Sequence, residues 1–222
     1  GISLVSFVFL VTFAARRVVR RTADPPPFFV FVGLGLLFGT IGALLLFLSD
    51  ISVLQDARWI LLGKLIYTQG MILALVLGVG TRLLPAIWGW AELPVHQTVQ
   101  LHRIQPISSF RKQLRPVFAL AFILLLSFAF EILLDPSLGR FIRALLVTVI
   151  AVRWWKIYKK PLAQGSMAFW LWISAWFLLL GLWGAVLFPS YWVHALHLAF
   201  IGGFGLMTLM IASRVILAHG GH

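Results

Sequence analysis

The chain alternates long apolar stretches with short polar or proline-bearing breaks. The apolar stretches lie near residues 1–15, 28–48, 59–81, 116–134, 141–157, 168–188 and 192–217. An α-helix rises about 1.5 Å per residue, so about 20 apolar residues cross the hydrocarbon core of a bilayer. The pattern therefore predicts an all-α, polytopic membrane helix bundle with roughly seven transmembrane helices in one domain over residues 1–222. The first stretch is too short for a full crossing and opens on Gly1 rather than Met, so the chain is expected to begin partway through a helix and to be part of a longer one. The fifth is short and ends in Trp154-Trp155, an aromatic pair suited to the lipid–water boundary.

Proline marks the breaks. Pro25-Pro26-Pro27 precede the second span, Pro85 is expected to end the third, Pro116 to open the fourth, and Pro136, Pro161 and Pro189 to lie in loops. The longest loop is predicted over residues 86–115; with Trp88, Trp90 and alternating apolar and basic residues, it is expected to lie along the membrane surface.

Composition agrees with the pattern: 61% of residues are hydrophobic and 11% charged, and the mean hydropathy is +1.01, well outside the range of soluble globular domains. The net charge of +12 does not make a nucleic-acid patch, because the basic residues fall in small groups between apolar runs. Arg16, Arg17, Arg20 and Arg21 occupy the first break, Arg103, Arg111, Lys112 and Arg115 the third, and Arg153, Lys156, Lys159 and Lys160 the fifth. Lys and Arg are retained on the cytoplasmic side during insertion. The alternate breaks, with Asp50, Asp56, Asp135, Arg58, Arg140 and Arg143, then belong outside, and the C-terminal His219 and His222 face the cytoplasm. Cysteine is absent, which excludes disulfides, iron–sulfur clusters, thiolate-ligated haem and covalent haem attachment.

His194 and His197 are the foremost candidates for chemistry. Three residues apart, they share one face of the last span, within about 10 Å of the outer surface, and are expected to point into the bundle together. Ionisable groups at membrane depth are costly, and a neutral imidazole ligates haem iron, copper or zinc. The third span carries Lys64, Tyr67 and Met71 at steps of three and four, with Thr68 and Gln69 beside them. Glu131 is the natural counter-ion for Lys64, with Arg143 as a further basic candidate, and a cluster of Lys64, Tyr67, Glu131, His194 and His197 would form a buried polar pocket for metal, haem or protons. An interhelical ion pair beside two unrelated histidines explains the same residues. On the inner side, Arg82 and Arg214 together could grip an anionic group such as haem propionates, although positive-inside anchoring accounts for either alone. Met207 and Met210 share a helical face and are read as core rather than copper(I) ligands, while His96 and His102 show no metal-site spacing. Glycines at 35, 39 and 42, at 181 and 184, and at 202, 203 and 205 make small faces for close helix packing. No nucleophile–base set, carboxylate pair or phosphate loop points to a hydrolase or an ATPase.

The last helix reads His194-Ala195-Leu196, Ile201-Gly202-Gly203-Phe204-Gly205-Leu206-Met207-Thr208, Ser213-Arg214-Val215 and Ala218-His219-Gly220-Gly221. Together these resemble the C-terminal signature of the NnrS family of polytopic haem- and copper-containing membrane proteins. Gln69-Gly70, Gly78-Val79-Gly80, Arg82 and Pro85 resemble another helix of that family, which ends in Arg and Pro at the membrane face. The resemblance implies the C-terminal half of such a protein. It implies a b-type haem, with copper as a second metal, in a multi-pass bacterial inner-membrane protein of the nitric oxide and nitrosative stress response. His194 and His219 carry over as haem or copper ligands, and Arg82 and Arg214 as basic partners. Ala218, Gly221 and His222 depart from the family's Gly, Thr and Arg, which implies a divergent member. Two other readings fit the residues: a non-catalytic subunit or transporter using Lys64, Glu131 and His194 as an ion or proton relay, and a redox subunit exchanging electrons with quinone and a partner complex.

Overall fold

The structure, a computed structural model, describes residues 2–19, 26–90 and 107–219, and their side chains except at 17–19, 107–113, 214, 215 and 217–219. Its regular elements are helices: α1 (Ile2–Val19), α2 (Phe29–Asp50), α3 (Ala57–Ile87), α4 (Ile107–Leu133), α5 (136–155), α6 (Ser166–Leu187) and α7 (189–219). Each predicted span has its helix. Among the described residues, five helical segments are long and apolar enough to cross a membrane, namely α2, α3, Leu114–Leu133 of α4, α6 and Pro189–Ser213 of α7. The apolar part of α1, Ile2–Arg16, is shorter, and the apolar run of α5 is interrupted by Arg140, Arg143 and Arg153. The chain is a multi-pass membrane protein.

Short polar signals set the helix ends. The Asp56 carboxylate accepts from the Arg58 amide at 2.8 Å and caps α3, and the Asp135 carboxylate accepts from the Leu138 amide at 2.9 Å as α5 begins. Pro136 and Pro189 open α5 and α7 rather than lying in loops, because a proline in the first turn lacks only an N–H that has no helical acceptor anyway. Pro85 and Pro116 lie inside α3 and α4. Neither acts as the predicted boundary, since a helix in an apolar setting keeps its remaining hydrogen bonds and tolerates one proline. The predicted loop over 86–115 is likewise shorter at its end: α4 starts at Ile107, and the basic segment through Arg115 is its first turns. Residues 91–106 lie outside the described residues.

The chain divides into two compact units, Gly1–Val79 with Gln105–Gly139, and Gly80–Ile104 with Arg140–His222. In the first, Phe31, Phe38, Leu65, Ile66, Leu73, Leu77, Leu124 and Phe128 form the core. Phe38 meets Phe128 edge to face with centroids 5.4 Å apart. Helices α2 and α3 approach at Gly42, where an added Cβ would lie 2.7 Å from the Tyr67 Cβ and 3.0 Å from the Gly63 carbonyl oxygen.

The second unit packs α6 against α7 and the end of α3 against the end of α5. Trp88, Ile150, Trp155, Leu171, Ala175 and Leu178 are fully buried there. Indoles tie the elements together, each donating its N–H: Trp155 to the Thr81 hydroxyl at 3.2 Å, Trp183 to the Thr148 hydroxyl at 3.0 Å, and Trp172 to the Ile157 carbonyl at 2.7 Å.

Among the described residues three stretches are wound as π-helix: Ile66–Gly70 within α3, Ala151–Trp155 at the end of α5, and Leu198–Gly205 within α7. Such widened turns shift the faces that follow them and occur often at functional sites.

Candidate functional site

The histidine pair sits at the start of α7, in Trp192–His197. What holds this segment is the opposite side of the helix. Ala195 and Ala199 face α6 at Gly184 and Gly181; an added Cβ on Gly184 would lie 3.0 Å from the Ala195 Cβ, and one on Gly181 2.5 Å from the Ala199 backbone nitrogen. Phe204 and Met207 continue this face and are buried. Since alanine and glycine take the packing side, the imidazoles are turned away from it. Both histidines are exposed, a correction to the expectation that they point inward. They continue an apolar surface formed by Leu198, Ile201 and Leu209.

The two rings are held differently. His194 lies edge-on to Tyr191, with ring centroids 5.9 Å apart. His197 places Nδ1 2.8 Å from the Val193 carbonyl oxygen. A carbonyl only accepts, so Nδ1 must carry the proton and donate it. In a neutral ring the lone pair would then lie on Nε2, at the far side from its own backbone, open to a metal; a hydrogen-bonded second nitrogen is the usual way a ligating imidazole is oriented. The π-helical stretch begins at the next residue, Leu198.

Sequence reasoning missed the anchor beside this pair. The Arg140 guanidinium lies 4.5 Å from the centroid of the Trp192 ring, fixing the first turn of α7 to the start of α5 through a cation–π contact. A single arginine in an outer break, far from the tryptophan in sequence, gave no signal.

The other predicted residues are distributed over both units. Tyr67 is half-buried in the first, on the π-helical turn of α3, and meets Phe7 edge-on with centroids 5.9 Å apart. Lys64 and Thr68 are exposed, and the Thr68 hydroxyl donates to the Lys64 carbonyl oxygen at 2.7 Å. Glu131 and Arg143 are buried. Lys64 is thus exposed and Glu131 buried in the first unit, and both histidines are exposed in the second.

In the second unit Arg82 is exposed, one residue after the Thr81 hydroxyl that accepts from Trp155. The side chains of Arg214 and His219 lie outside the described residues, as do His96, His102 and His222. Met207 is buried and Met210 half-buried, in keeping with core packing. Among the described residues no three of His, Asp and Glu converge as a metal-binding group. A haem asks less, since the porphyrin supplies four donors to the iron and the protein one or two. His197 meets that requirement by tautomer and exposure, and His194 by exposure.

No curated protein and no solved structure matches the chain. The family model described as NnrS protein matches residues 1–222, the whole length, and the chain belongs to the NnrS family.

Proposed function

We propose that this chain is the haem-binding part of an inner-membrane protein linked to nitric oxide and nitrosative stress, with the iron held by His197 or His194 on the exposed face of α7. The observation that carries this reading is the His197 hydrogen bond to Val193, which leaves Nε2 as the free donor atom. Family membership supports the nitric oxide link. The apolar surface around the pair, Leu198, Ile201 and Leu209, suits the face of a porphyrin. Haem on a neutral imidazole in an apolar setting binds a small neutral diatomic gas, a chemistry that serves sensing, scavenging or electron transfer. The chain's own part is to orient the imidazole and to seat the macrocycle on apolar side chains. Copper, with His219 among its ligands, is the second metal in this reading. The C-terminus lies in the cytoplasm, and other membrane subunits or quinone are the partners.

Haem content of the full-length protein tests this directly. A pyridine haemochrome of b type, with an absorption change on adding nitric oxide, supports the reading; protein that folds and is colourless overturns it.

Burial of Glu131 in α4 favours one alternative, a proton or ion relay. It predicts a colourless protein that loses function on Glu131→Gln.

A further inference from the structure

A groove of about 450 Å³ runs along the end of α5, lined by Thr148, Val149, Val152, Arg153, Lys156 and Tyr158. Its two ends differ in chemistry. Val149 and Val152 belong to an exposed apolar stripe that begins at Phe141 and Leu145 and follows the helix one turn at a time. At the other end stand Arg153, Lys156 and the Tyr158 phenol, all exposed. Among the described residues no acidic side chain lines the groove.

The backbone places the two cations together. The π-helical turn Ala151–Trp155 ends α5, and Lys156 takes a left-handed conformation with φ 54° while its amide still donates to the Ala151 carbonyl. The Ile157 amide reaches the same carbonyl at 3.1 Å. The chain therefore doubles back at once and sets Lys156 and Tyr158 beside Arg153. The neighbouring polar groups are committed elsewhere: the Thr148 hydroxyl donates to the Ala144 carbonyl at 2.7 Å and accepts from the Trp183 indole, and Lys159 lies 5.4 Å from the Trp90 ring centroid.

We propose that this groove is a binding site for one anionic phospholipid, its phosphate held by Arg153, Lys156 and the Tyr158 hydroxyl and an acyl chain lying along Val152, Val149 and Leu145. Charge complementarity carries the assignment. Two cations and a hydroxyl donor match a phosphodiester with further negative charge, the apolar stripe matches an acyl chain, and the basic end lies on the side that the charge pattern assigns to the cytoplasm, where anionic lipid and basic residues attract. A free phosphate would leave the valine stripe unused, and a zwitterionic lipid would gain little from the second cation.

Native mass spectrometry of the full chain, released from phosphatidylcholine nanodiscs containing a minority of phosphatidylglycerol, tests the site. Wild-type protein should retain phosphatidylglycerol selectively. Retention should fall roughly 30-fold in Arg153→Gln/Lys156→Asn, since asparagine tolerates the left-handed conformation. Val152→Trp, which fills the apolar end without altering charge, should also lose it, while Arg115→Gln on α4 should not. Equal retention of phosphatidylcholine, retention unchanged in the double variant, or the same loss in Arg115→Gln would each overturn the proposal. Retention unchanged in Val152→Trp would do so too, pointing to a phosphate contact without an acyl seat.

Discussion

Gly181 of α6 faces Ala199 of α7 so closely that a Cβ on the glycine would lie 2.5 Å from the Ala199 nitrogen and 2.6 Å from the Ala195 carbonyl oxygen. Both obstacles are backbone, so neither can swing aside as a flexible side chain would. This contact sets the position of α7 two residues beyond His197 and one beyond His194. Gly181→Ala should therefore push the helices apart, lower stability by about 1–3 kcal/mol and weaken retention of haem. Gly33→Ala is the control, because a Cβ there meets nothing within 4 Å; it should leave the thermal midpoint in detergent unchanged or slightly raised. Equal effects of the two substitutions would show that Gly181 does not fix the helix pair.

The Trp183 indole and Thr148 hydroxyl, 3.0 Å apart, join α6 to α5 inside the second unit. Thr148→Val keeps the shape and removes the acceptor. We expect a loss of about 0.5–1.5 kcal/mol. A double-mutant cycle with Trp183→Phe should show that the two losses are not additive. Additive losses, read from unfolding in detergent, would mean that the hydrogen bond contributes nothing of its own.

Helix number and span positions were legible because seven apolar stretches bounded by charge and proline are the strongest signal a membrane sequence carries. The bounds at Pro85 and Pro116 were not, since proline forbids a helix interior far less strictly where the remaining backbone groups have no water to turn to. The π-helical turns were also invisible. Period-based reading assumes 3.6 residues per turn throughout, and Leu198–Gly205 departs from it immediately after the histidines. The inward direction expected for the histidine pair came from the cost of an imidazole at membrane depth, whereas the small residues Gly181, Gly184, Ala195 and Ala199 give the opposite side of the helix to packing. The His197 tautomer depends on a carbonyl one turn earlier, a geometry implied by i to i−4 spacing but not demanded by it. The Arg140 contact to Trp192 is wholly tertiary, and no local pattern announces it.

The absorption spectrum of the full-length protein, reduced minus oxidised, beside His197→Ala and His194→Ala tests the central claim most directly. The account predicts Soret and alpha bands in the wild type that weaken strongly in one of the two variants, with His197→Ala the more severe because its Nε2 is the oriented donor. A folded protein without these bands, or bands unchanged in both variants, would contradict it.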